Sequence, residues 1–504
     1  MQKLVVAILA TFRINAADYR LTGHGVFLSM AFFLLKELMR SQLFTAEATF
    51  QADLITPIAA YQALKPEAPV LLFESMEGSG RSGRFTVIAM EPLLRIRHFH
   101  GQTTVSGTWL VNGSEDSDPL AHLQALLQRF RQPPKNRFRN AFFAGNINFS
   151  AYRFSEPQLV FPARTDYAEV DLFLPGVVLC FDNFYQELSI IVHLPESSND
   201  AGRAAKKINA IKDKLAAWQW RFGDAAANGG GKANLNSAAA DRFQIGVEKV
   251  KEHIRVGDIF QAVLARKTFV PGALDALSVY RRLRRLNPSP YMYLLQYEDY
   301  SIVGASPETM VKVDEDTITM RPIAGTRKRG GDAREEQQLK QDLCSDPKEL
   351  AEHDMLVDLA RNDIGKVAEF GSVEVPVYRQ VETFSHVMHL VSTVTGRKRE
   401  NYDCVDVFRA CFPAGTVSGA PKIRAVEIIN AIEQEDRGPY GGAIGYFDLA
   451  GRMDTCIAIR TAIIERDYSW WQAGAGIVAD SKAESEWRET ENKGGIFRSI
   501  VSGE

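Results

Sequence analysis

Two pairs of glutamates share one spacing at distant places in the chain: Glu349 and Glu352 in ELAEH, and Glu486 and Glu489 in EWRET. On a helix, positions three apart lie on one face, so each pair can aim two carboxylates at a common point, and Lys493 continues the second face. Hard oxygen donors of this kind suit Mg2+, which takes one or two protein carboxylates and completes its shell with water and an anionic substrate. Exposed helices often carry the same doublets, so a solvated face is the competing reading of the spacing alone.

Glycines are dense in segments otherwise too apolar for ordinary loops: Gly325 before Thr326, and the stretches 415–419, 438–445 and 472–476. Glycine lets a ligand approach the backbone and offers N–H donors to an anion, although tight turns in a crowded sheet would look the same. Candidate acids, bases and anion clamps are Glu308 in SPE, His389 in MHL, Tyr440, and Arg460 within the apolar run 457–464. An unpaired guanidinium in such a run is costly, so an anionic partner is expected there, either a ligand or a salt bridge. There is no Walker loop, no GxGxxG opening a βαβ unit and no GxSxG elbow.

Periodicity predicts the elements that must carry these groups. Helices are expected at 243–255, 277–286, 335–363 and 420–434, and strands around 291–297, 317–322, 443–447 and 456–464. From 45 to about 215, short β-rich runs at 70–73, 87–89 and 177–181 alternate with helical stretches at 120–130 and 204–218. The run of four arginines in 281–285 reads as a solvated helix face. A Gly, Ala, Asn and Ser stretch without apolar periodicity reads as a linker. The expected organisation is an extension at 1–44, an N-terminal α+β region at 45–222, a linker at 223–241 and a catalytic region at 242–504.

At 504 residues, 45% hydrophobic and 24% charged, the chain has the composition of a globular protein. With 59 basic against 62 acidic side chains and a net charge of −3, no nucleic-acid partner is expected. The apolar runs at 4–12 and 26–35 are too short to span a bilayer, so no membrane partner is expected either. They read as an extension ahead of the folded unit, with Met39 a candidate start. Five scattered cysteines without a CxxC suit a reducing, cytoplasmic setting.

Longer motifs narrow the reading: RPIAGTR at 321–327, ELAEHDMLVDLARND at 349–363, the stretch 386–390, FPAGTVSGAPKIR at 412–424, the stretch 437–447 and QAGAGIVADS at 472–481. In order and spacing they resemble the chorismate-utilising enzymes, above all the anthranilate synthase component I branch. The likeness is dense from about 243 to 498 and thinner from 45 to 183. It implies an α+β fold with two large antiparallel sheets and helices around them. It also implies chorismate as substrate and Mg2+ held by Glu352 and Glu489, with Glu349 and Glu486 in support.

By the same resemblance Glu308, His389 and Thr416 are catalytic, while Gly325, Thr326, Tyr440, Arg460, Gly474, Ala475, Gly476 and Lys493 contact substrate. Ala324 stands where aminodeoxychorismate synthases commonly carry a nucleophilic lysine. Gln261 stands where relatives that use water place a lysine base. Both favour anthranilate formation from ammonia, with aminodeoxychorismate or aminodeoxyisochorismate synthesis as the alternative. Residues 71–75 with 287–292 look like a tryptophan feedback site, implying L-tryptophan as inhibitor at Ser75, Pro290, Tyr291 and Met292. A separate glutamine amidotransferase subunit is the implied ammonia source. One departure is 144–152, where a glycine- and tyrosine-rich segment of the family is replaced by AGNINFSAY.

Overall fold

The computed structural model describes residues 43–502, apart from 65–67, 69, 77–82, 108–111, 116–117, 136–137, 163–166, 197–199, 220–236, 273 and 384–386. The extension at 1–42, most of the expected linker and His386 therefore lie outside the described residues. The last linker positions, 237–241, already belong to the helix Ser237–Arg255.

The chain is α+β, and the described strands pair antiparallel throughout. Hydrogen bonding joins 21 of them into one continuous network where two sheets were expected. Strands from both halves of the chain interleave in it. Val70–Glu74 pairs with Tyr291–Gln296, placing Glu74 opposite Met292, and Phe142–Ile147 pairs with Ala443–Asp448. The departing segment 144–152 thus begins inside the shared network, at the strand that receives Ala443–Asp448.

Alternating apolar residues on the two faces of these strands build the cores. One core gathers Leu94, Phe143, Val311, Phe408, Phe447 and Ile457. Another packs Leu72, Ile88, Leu179, Met292 and Leu294 against Tyr280 and Leu283 of the helix Ala276–Leu286. Burial of such side chains stabilises the fold by roughly 1.5–3 kcal/mol each before entropy is counted.

Three expectations are corrected. The helix expected at 335–363 is two, Ala333–Ser345 and Pro347–Gly365. Pro347 cannot continue a preceding helix but suits a first helical position, and it holds Asp346 extended. The Asp346 carboxylate then accepts the N–H groups of Lys348 and Glu349. The strand expected at 456–464 is likewise broken into Met453–Ile457 and Thr461–Ile464, because Arg460 takes a left-handed conformation with φ +51° and leaves the ladder. The arginines at 281–285 are not simply solvated. Arg284 forms a bidentate pair with buried Glu74 at 2.6 and 2.9 Å, and Arg282 donates to the Ile500 carbonyl at 2.6 Å. Among the described residues no helix is long and apolar enough to cross a membrane.

Candidate active site

The helices Pro347–Gly365 and Ala483–Ser502 bring the two glutamate pairs into one electrostatic neighbourhood. Burial raises the Glu352 carboxyl above its ordinary range, and the charges of Glu349 and Glu489 push it further, opposed by Lys493 and Lys348. Glu486 is buried and raised for the same first reason, while Ser481 and the two lysines moderate the shift. Glu349 pairs with Arg327 at 3.0 Å, and Arg327 also holds Asp342 and Asp346. Glu489 pairs with Lys493 at 2.6 Å.

Among the described residues, Glu352 has no cationic partner at ion-pair distance, and no three side chains of the His, Cys, Asp and Glu types already stand together as a metal cage. A partly buried carboxylate pressed by like charges is a sink for a cation, and its hard oxygens match Mg2+. The residues present therefore fit that ion.

Glu308 lies just beyond the strand Ser301–Ser306 and is 7% exposed. Burial pushes its carboxyl up to about 8, against the lowering effect of the Thr416 hydroxyl, the Ile323 backbone N–H and Lys493. At pH 7 about ten such carboxyls are protonated for each one ionised, so Glu308 can act as an acid. The adjoining strands Ile323–Lys328 and Val387–Arg397 place Thr326 opposite His389. His389 Nδ1 lies 3.0 Å from the Gly325 carbonyl and 3.1 Å from the Thr326 hydroxyl. A carbonyl only accepts, so Nδ1 carries the proton toward Gly325 and Nε2 is left as a base. Burial, reinforced by Arg460 and Lys493, lowers His389 and keeps it neutral. Gly325 needs its φ of +71°, and a Cβ there would lie 3.0 Å from Leu343 and 3.2 Å from Glu349.

The strand Tyr468–Ile477 forms the opposite wall, paired with Gln261–Pro271 so that Gly474 faces Ala265 and Gly476 faces Val263. Side chains at both glycines would collide with the Tyr440 hydroxyl and the Gln261 amide, at 2.8 and 2.5 Å. Ala475, on the other face of this strand, packs into the core beneath, so of the three only the glycines face Tyr440 and Gln261. Lys493 donates to the Gly474 carbonyl at 3.0 Å. Arg460 has no carboxylate within ion-pair distance among the described residues; burial lowers its pKa, offset by Tyr440 and Glu489. Tyr440 is buried and pushed up to about 12. The single ammonium of Lys493 is felt by Glu308, Glu352, His389 and Glu486, so elements scattered over nearly 200 positions of sequence face one centre.

A separate cavity of about 420 Å³ contains Ser75, Pro290, Tyr291 and Met292 in its wall. The Met76 N–H donates to the Ser289 carbonyl at 3.1 Å, tying the two segments together. Sequence reasoning missed two other parts of that wall, Arg84 and Asp454; Asp454 accepts from the Tyr291 hydroxyl at 2.8 Å. It also missed Lys348, whose charge reaches Glu352 and Glu486. Its place four residues before Glu352 was the available signal.

A family model described as a chorismate binding enzyme matches residues 68–499, which takes in every residue of both sites, and the chain belongs to that family. Particular relatives are more specific. Anthranilate synthase component 1 of Aquifex aeolicus (strain VF5) is 41% identical over 455 residues, covering 88% of this chain and 91% of the relative. The protein of the same name from Pseudomonas putida is 36% identical, covering 90% and 94%. The crystal structure of anthranilate synthase component I from Streptococcus pneumoniae TIGR4 superposes with a TM-score of 0.74 at 34% identity, over 90% of this chain and 99% of that one. The menaquinone-specific isochorismate synthase of Escherichia coli, at 19% identity, 94% and 99% coverage and a TM-score of 0.70, shares the fold.

Proposed function

We propose that the protein is the large subunit of an anthranilate synthase, a lyase converting chorismate and ammonia to anthranilate and pyruvate. The observation that carries this reading is the convergence on Lys493 of a carboxyl raised by burial, a histidine lowered by it and a set of glutamates, beside an arginine with no carboxylate at ion-pair distance among the described residues. Ala324, which has no nucleophile, favours this reading over aminodeoxychorismate synthesis.

Mg2+ bound through Glu352 and Glu489, with Glu349 and Glu486 supporting, would neutralise the ring carboxylate and make the ring more electrophilic. Arg460 and Tyr440 take the enolpyruvyl carboxylate, assisted by the backbone around Gly474 and Gly476. Ammonia adds at C2 while Glu308 gives its proton to the departing C4 hydroxyl, which leaves as water. Nε2 of His389 is the group available to take the C2 proton as pyruvate leaves and the ring becomes aromatic. Gly325 and Thr326 hold that imidazole in the required tautomer.

The second cavity is read as a regulatory site for L-tryptophan. Phe73, Val87 and Tyr446 offer apolar surface for an indole, and Arg84 and Asp454 offer opposite charges for a zwitterion. The relatives' designation as component 1 supports a partner subunit, read here as a glutamine amidotransferase supplying ammonia in the cytoplasm. The test is purified protein with chorismate, Mg2+ and ammonium. A blue-fluorescent amine released with one equivalent of pyruvate is expected; an amino-deoxychorismate without pyruvate would replace this reading with the alternative one.

A further inference from the structure

Arg437 is 2% exposed and lies three residues before Tyr440. Its Nη1 donates to the Val417 carbonyl at 2.6 Å and its Nη2 to the Val263 carbonyl at 2.7 Å. Nη2 and Nε also form a fork with Glu433, at 2.6 and 2.8 Å. The Glu433 carboxylate in turn accepts the Ala265 N–H at 2.8 Å. Four of the five guanidinium N–H donors are thereby committed to protein, which leaves Arg437 unable to serve as a second carboxylate clamp.

These bonds end at two separate places around the site, the segment at Val417 and the strand Gln261–Pro271. Val417 follows Thr416, the hydroxyl next to Glu308. Val263 and Ala265 lie opposite Gly476 and Gly474. The loop that Arg437 opens carries Tyr440, and its Gly441 N–H donates to the Ala458 carbonyl, two residues before Arg460. The Arg437 guanidinium also stacks 4.6 Å over Phe149. A bidentate, fully buried pair holds its partners to a narrow geometry, and misplacing substrate-binding groups by about 1 Å costs about 100-fold in rate.

We propose that Arg437, locked by Glu433, is a positioning residue that sets the carboxylate-binding wall formed by Tyr440, Arg460 and the strand Tyr468–Ile477. This rests on the reading that chorismate's enolpyruvyl carboxylate is held at that wall. Lysine at 437 keeps the charge but not the fork, and glutamine at 433 keeps an acceptor for Ala265 but not the ion pair.

Arg437→Lys and Glu433→Gln are compared with the wild type for chorismate affinity, measured by calorimetry with Mg2+ and no ammonia, and for steady-state constants. The expected result is chorismate affinity weakened about tenfold or more in both variants, with KM for ammonium within about twofold of wild type. Glu433→Gln stands alone if Arg437→Lys does not fold. Unchanged chorismate affinity in a folded variant overturns the proposal, even if the melting temperature falls, since that is the mark of a merely structural pair. Because affinity is read without ammonia, the result holds whichever amine the wild type makes, and the product assay judges the anthranilate reading separately.

Discussion

Lys493 and Glu489, one helical turn apart, form an ion pair of 2.6 Å, and the same ammonium donates to the Gly474 carbonyl at 3.0 Å. The lysine therefore ties the glutamates proposed to hold a metal to the strand proposed to face the substrate. It neutralises Glu489, while Glu352 has no cationic partner at ion-pair distance among the described residues. Glu352 and Glu489 are the residues that would hold a divalent cation, which would supply the counter-charge Glu352 lacks.

Replacing Glu352 or Glu489 by glutamine is expected to lower turnover by about 100- to 1,000-fold, as loss of a preorganised electrostatic group does. Folding should survive, because Glu352→Gln removes a charge that its neighbours already disfavour. Anthranilate fluorescence and thermal melting measure the two effects. Chelation should abolish activity and Mg2+ restore it; near-wild-type activity in either variant removes the metal assignment.

Glu308 ties activity and stability to pH. With its folded value near 8 against an ordinary 4.5, the native state keeps a proton that the unfolded chain releases between those values. Stability should therefore fall as pH rises through that window, and the acid-dependent rate should decline above about 8. Glu308→Gln should lose about 100- to 10,000-fold in kcat and flatten this part of the stability curve in urea titrations. A variant whose pH–stability profile matches wild type would contradict the raised value.

Gly325→Ala forces a side chain into a left-handed conformation at a cost of about 1–2 kcal/mol, and drives a methyl toward Leu343 and Glu349. Unfolding free energy should drop by about that amount. Activity should fall as well, since the Gly325 carbonyl orients His389. Nitrogen NMR of His389 should show the neutral Nδ1–H tautomer in the wild type at pH 7.

In the second cavity, Ser75→Leu should weaken inhibition by L-tryptophan about tenfold or more, equivalent to about 1.4 kcal/mol of binding. Calorimetry on wild type and variant, beside inhibition curves, tests this. Equal tryptophan affinity in both would move the inhibitor elsewhere.

Arg284 neutralises a nearly inaccessible Glu74 on the strand leading into that cavity. Arg284→Ala strands a buried carboxylate and should cost about 3 kcal/mol in unfolding free energy. Tyr280 and Thr86 still donate to Glu74, so Arg284→Lys should recover part of the loss.

Much was legible in the linear chain because it depends on local periodicity and residue chemistry. The i, i+3 glutamates, the glycine clusters and the apolar alternation of the strands announce an α+β protein that handles an anion with acidic and metal-type groups. Pro347 was readable as a helix breaker, yet the surrounding helical pattern masked it. The broken strand at Arg460 was not readable, since its apolar neighbours look the same on either side of a left-handed residue. Tertiary structure alone decided that Glu352 has no counter-ion among the described residues, that burial raises the Glu308 carboxyl, and that Arg437 commits its donors to Val417, Val263 and Glu433. Each of those properties is set by which distant groups surround a charge and how far water is excluded, and neither quantity is encoded in the spacing of residues along one segment.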